Sequence, residues 1–74
     1  MPKLSPIGGK RLIKILLNLG FIQVRQKGSH ARLEHSDGRK TSVPLHSGEN
    51  VGIGLLRKIL RDVNLTPEEF NKSK

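Results

Sequence analysis

The octapeptide Arg25-Gln26-Lys27-Gly28-Ser29-His30-Ala31-Arg32 sets one imidazole among three cations, around a glycine-serine pair. Imidazole has an ordinary pKa of about 6.5, so it exchanges a proton readily at neutral pH. Beside cations that hold a phosphate, such a group suits metal-independent cleavage of RNA: it takes the proton of a ribose 2′-hydroxyl or gives one to a leaving oxygen. In that scheme His30 is the catalytic general acid or base, and Arg25, Lys27 and Arg32 bind the scissile phosphate and offset the charge that develops on it. Gly28 and Ser29 let the backbone approach the substrate and supply hydrogen-bond donors. The competing reading of the same residues is a solvated histidine beside a basic turn.

The other candidates are weaker. His35 lies an odd number of residues from His30, so on one strand the two point to opposite faces and cannot chelate one ion. His46, shortly after Pro44, stands at the same sheet end as His30, either as a second proton-transfer group or as a loop-ordering hydrogen-bonding group. Three scattered histidines with no cysteine and no carboxylate cluster call for no metal and no other cofactor. Gly48, Gly52 and Gly54 match neither a P-loop nor the dinucleotide fingerprint and read as connector residues. Arg57, Lys58 and Arg61 are either the solvated face of a helix or further phosphate contacts.

Composition bounds what can hold these groups in place. The chain has 74 residues, read as one domain over 1–74 with an ordered core over roughly 7–70. At this size folding buries only about 60% of the surface that the unfolded chain exposes. With no cysteine there is neither a disulfide nor a thiolate zinc site, so Leu, Ile and Val must carry the core. No stretch resembles a signal peptide or is long enough to span a bilayer, so the expected protein is soluble and cytoplasmic, with no membrane partner. Fourteen Lys and Arg against six Asp and Glu give a net charge of +8, which points to phosphates or an acidic protein as partners. With only Phe21 and Phe70 as aromatics, the chain lacks the stacking platforms of single-strand binders such as RRM or OB domains.

Residues 10–19 have helical periodicity, with Lys10, Arg11, Lys14 and Asn18 on one side and Leu12, Ile13, Leu16, Leu17 and Leu19 on the other. Gly20 supplies a left-handed stop, and Phe21 folds back onto the last turn. From Phe21 to Leu45 the period becomes two, which predicts three short strands with Ile22, Val24, Ala31, Leu33 and Val43 inward. Pro44 suits a strand end. A second helix over 54–63 turns Leu56, Ile59, Leu60 and Val63 inward, with Asn64 as its left-handed cap. Thr66-Pro67-Glu68-Glu69 then offers a capping box that returns Phe70 to the core. The predicted class is α+β, an α-β-β-β-α order with a three-stranded antiparallel sheet and both helices on one face.

The apolar residues also predict the register. An even-length loop about Lys27-Gly28 sets Ile22 opposite Leu33, Val24 opposite Ala31 and Arg25 opposite His30. A three-residue loop ending at Gly38 sets Val43 opposite Ala31. The open face then carries Gln23, Arg25, His30, Arg32, Glu34, Lys40 and Ser42, which adds Lys40 to the candidate phosphate-binding groups.

Several segments, in order, resemble the HicA (YcfA-like) toxins of type II toxin-antitoxin modules. They are Gly20-Phe21, Arg25-Gln26-Lys27-Gly28-Ser29-His30, Asp37-Gly38, Val43-Pro44-Leu45-His46, Gly54, Leu56-Arg57-Lys58-Ile59-Leu60-Arg61 and Leu65-Thr66-Pro67-Glu68-Glu69-Phe70. The resemblance implies a double-stranded-RNA-binding-domain-like fold and a translation-independent mRNA interferase, an endoribonuclease whose catalytic histidine is here His30. It also implies mRNA as substrate and a HicB-like antitoxin, expected to be acidic, that covers the catalytic face. The chain departs from the family at Leu55, where a hydroxyl residue is usual, and at Asn64, where glycine is. Without the resemblance, a basic RNA-binding module with no catalysis fits the same composition, as does a basic protein-interaction domain.

Overall fold

The computed structural model describes residues 3–45 and 50–74, so His46 and Gly48 lie outside the described residues. The chain order is β1 (Ile7–Gly8), α1 (Gly9–Asn18), β2 (Ile22–Lys27), β3 (His30–Glu34), β4 (Lys40–Pro44), β5 (Asn50–Val51), α2 (Ile53–Asp62) and α3 (Pro67–Lys72). Strands β2, β3 and β4 form an antiparallel sheet in that order, and β1 pairs with β5 in a separate two-residue bridge. This is the expected α+β, double-stranded-RNA-binding-domain-like arrangement, with the β1–β5 bridge as an addition too short to show in periodicity.

One core joins the layers. From α1 it takes Leu12, Ile13, Ile15 and Leu16, from the sheet Ala31, Leu33 and Val43, from α2 Leu56, Ile59 and Leu60, and from α3 Phe70. Each such large apolar side chain contributes about 1.5–3 kcal/mol on full burial. On α1 the inward set includes Ile15 in place of Leu17, which is 44% exposed.

Both main helices stop as their sequences require. At Gly20, φ is 99°, the Phe21 N–H donates to the Leu16 carbonyl and the Gly20 N–H to that of Leu17, the paired bonds of a Schellman cap. Asn64 takes φ of 55° after α2, and the Leu65 N–H donates to the Leu60 carbonyl. In α3 the Thr66 hydroxyl accepts from the Glu69 N–H at 3.0 Å, and the Glu69 carboxylate accepts from the Thr66 N–H at 3.0 Å.

The second hairpin has the expected register, with Ala31 opposite Val43 and Gly38 left-handed at φ 100°. The first hairpin differs. Gly28 has φ of 59° and takes the first position of a two-residue Gly28–Ser29 loop, so Lys27 stands opposite His30. Arg25 stands opposite Arg32, Gln26 opposite Ala31, Gln23 opposite Leu33 and Ile22 opposite Glu34, with a bulge between Gln23 and Arg25. Two causes explain the correction. The cap on α1 drives Phe21 into the core, and alternation then turns Ile22 outward. The extra residue of the bulge takes Val24 out of the ladder. Ile22 and Val24, expected inside, are 62% and 50% exposed.

Candidate active face and its supports

His30 opens β3 and is held on both sides, opposite Lys27 in one ladder and opposite Pro44 in the other. The second ladder continues one step past it, because the Leu45 N–H donates to the Ser29 carbonyl. The imidazole is thus exposed on a backbone paired on both sides. Directly opposed Cβ atoms on an antiparallel pair lie about 4.5–5.5 Å apart and diagonal ones somewhat farther. Around His30 this brings Lys27, then the opposed pair Arg25 and Arg32, with Ser42 across from Arg32. All four, like His30, are exposed.

The expected contact of Arg25 with His30 is replaced by Lys27, while Arg25 keeps its place on the face. Gly28 and Ser29 form the adjoining loop. Lys40 shares the face but pairs with Glu34, four residues from the partner of His30, about 13 Å along the strand. Glu34 also takes the Arg32 Nε at 3.5 Å, a weak contact between half-exposed groups. Arg57, Lys58 and Arg61 are exposed on α2 and are not among the strand residues paired around His30. Lys58 instead reaches Asp62 at 3.4 Å, whose carboxylate accepts from the buried Thr41 hydroxyl at 3.1 Å.

Lys10 and Arg11 stand at the same end of the molecule as His30, although the periodicity placed them only on the outer side of a helix. A Cβ on Gly9 would collide with the Pro44 carbonyl, so the start of α1 lies against the strand end that faces His30. The next two residues, Lys10 and Arg11, are exposed there. The β1–β5 bridge starts α2 at the same end. Both helices finish at the β3–β4 turn, where Arg39 Nη1 donates to the Val63 carbonyl at 2.7 Å and a Cβ on Gly20 would come 2.9 Å from His35 Nε2. Both helix dipoles thus direct their positive ends toward the His30 end. The carboxylates of Glu34, Asp37, Asp62 and Glu69 lie toward the opposite end, beside Lys40, Arg39, Thr41 and Arg39 respectively. A close approach of glycine at position 9 is a signal that only a third dimension reveals.

His35 is structural. Its ring meets Phe21 edge to face at 5.0 Å, and its Nδ1 accepts from the Asp37 N–H at 3.2 Å. Arg39 lies 5.1 Å over Phe21 and donates through Nε to Asp37 at 2.8 Å. Desolvation acts to raise the Asp37 pKa, but the hydrogen bonds from the Arg39 N–H and guanidinium, with the Arg39 charge, outweigh it and hold the carboxyl below the ordinary aspartate range. A depressed folded-state pKa contributes stability that is complete above the unfolded-state value and is lost as pH falls through the folded one. Unfolding free energy measured by urea titration should therefore drop more steeply below pH 4 in the parent than in Asp37→Asn; equal slopes would remove Asp37 from the acid response. Among the described residues no three His, Asp or Glu side chains gather where a metal ion would be held.

A family model described as the HicA toxin of bacterial toxin-antitoxin matches residues 9–65. No curated protein matches the chain. No helix among the described residues is long and apolar enough to cross a membrane.

Proposed function

Since the chain belongs to the HicA toxin family and is thereby the toxin of a bacterial toxin-antitoxin system, we propose that it is a metal-independent endoribonuclease that blocks translation by cutting mRNA at the His30 face. The observation that carries this reading is one exposed imidazole fixed inside two ladders, with Lys27 opposite and the Arg25–Arg32 pair beside it.

In the proposed reaction the His30 imidazole takes the proton of a ribose 2′-hydroxyl. The resulting oxygen attacks the adjacent phosphorus, the bond to the 5′-oxygen breaks, and that oxygen is protonated by water. The products are a 2′,3′-cyclic phosphate and a 5′-hydroxyl. Lys27, Arg25 and Arg32 hold the non-bridging oxygens and stabilise the extra negative charge of the transition state. The loop Gly28–Ser29 leaves room for the strand. Lys10 and Arg11 continue the basic surface round the sheet end and receive phosphates farther along. A HicB-like antitoxin supplies the control by covering this face, and the cytoplasm is where toxin, antitoxin and mRNA meet.

Purified protein incubated with mRNA in excess EDTA should yield fragments with those two end groups. Bound but intact RNA after long incubation would leave a binding module without catalysis. Cleavage that stops with the chelator and returns with divalent ions would replace the mechanism with a metal-dependent one.

A further inference from the structure

Strand β2 lies at an edge of the sheet, and all six of its residues are exposed. An edge strand carries an outward row of N–H and C=O groups, a template on which another strand pairs. At the other edge β4 meets both α1 and α2 and has alternate residues buried, whereas β2, which meets α1, has none. On β2 two large apolar side chains, Ile22 at 62% and Val24 at 50% exposure, stand beside Gln23, Arg25, Gln26 and Lys27.

The charges decide what pairs there. The sequence Ile22-Gln23-Val24-Arg25-Gln26-Lys27 contains two cations and no carboxylate. A second copy of the chain, in any register, would bring cations to β2 without a partner for them, and the bulge further disfavours a flat edge-to-edge joint. A strand rich in Asp and Glu meets the opposite situation, with carboxylates set against Arg25 and Lys27 and apolar residues against Ile22 and Val24. We propose that the outer edge of β2 is where the acidic antitoxin partner of this toxin adds a strand to the sheet. The inference rests on the toxin-antitoxin pairing of the family, not on RNA cleavage. It also gives the pairing a regulatory effect. The added strand lies about 4.8 Å beyond β2, so its carboxylates occupy Lys27 and Arg25, the cations that flank His30, and exclude RNA phosphate by charge.

The test uses the full chain co-purified with the product of the adjoining reading frame. Lys27 and His30 flank a two-residue loop and bond to each other, so the Gln26 N–H points away from the sheet. Gln26→Pro therefore removes an outward donor and leaves the ladder its own. Val24→Glu, at an exposed position, repels an acidic strand without emptying the core. Hydrogen exchange should show the amides of residues 22–27 protected in the complex and not in the free chain, and each variant should raise the Kd at least about tenfold with an unchanged circular dichroism spectrum. A complex in which β2 exchanges freely and both variants bind like the parent overturns the seam and leaves the partnership standing. Failure of the parent to form any complex with that product overturns the partnership and the seam together. Protection of β2 in a concentrated free chain would assign the edge to a second copy, and protection by RNA alone to nucleic acid, each against the proposal.

Discussion

Replacing His30 with alanine is expected to lower RNA cleavage by about 10²- to 10⁴-fold, the usual contribution of a positioned general base. Fold and RNA affinity should be nearly unchanged. His30 is exposed, its strand is held by backbone pairing to β2 and β4, and the apolar side of β3 is carried by Ala31 and Leu33. An exposed substitution of this kind shifts stability by about 0.5 kcal/mol or less. The phosphate-binding cations Arg25, Lys27 and Arg32 remain in place, so affinity and its salt dependence should stay close to those of the parent. The decisive measurement is a single-turnover cleavage assay on His30→Ala with thermal unfolding and binding measured on the same preparation. Parent-like cleavage by a folded, RNA-binding variant would sink the mechanism. Loss of cleavage together with loss of the fold would make His30 a structural residue.

The largest expected loss of stability is at Phe70. It is fully buried and sits in the six-residue α3, where Lys74 Nζ lies 5.3 Å from its ring. A helix this short does not persist on its own propensity, so the capping box and the buried ring are what hold it. Phe70→Ala removes transfer energy and leaves a cavity, together about 3–5 kcal/mol. A domain of this size has a total stability on the order of 4–11 kcal/mol. The variant should therefore melt at least about 12 °C lower and be largely unfolded in mild urea. A loss under about 1 kcal/mol would mean that α3 is not part of the cooperative core.

Local chemistry was legible in the sequence because each signal sits within a few residues of its effect. The stop at Gly20, the left-handed Asn64 and the Thr66–Glu69 box depend on neighbours three to five positions away, and all three stand as expected. The strand-turn pattern and its second register were equally local, because a left-handed Gly38 leaves one length of loop that keeps Ala31 and Val43 on the same side. His30, Arg32 and Lys40 fell on the open face for the same reason, since alternation along a strand needs no knowledge of what lies behind it.

The first hairpin was not legible, and the cause is instructive. Ile22 and Val24 alternate correctly for a buried strand, but the phase of β2 is set by Phe21, which α1 draws into the core, and is then broken by a bulge that no local pattern announces. The partner of His30 is accordingly Lys27. The same holds for Lys10 and Arg11: only the contact of Gly9 with Pro44 brings them to the His30 end. By itself the sequence determined the elements, their caps and the residues offered to solvent, because these follow from short-range sterics and hydrogen bonding. The tertiary structure alone decided which cations surround the histidine and that every side chain of β2 stays exposed, because those depend on where separate elements compete for one small core.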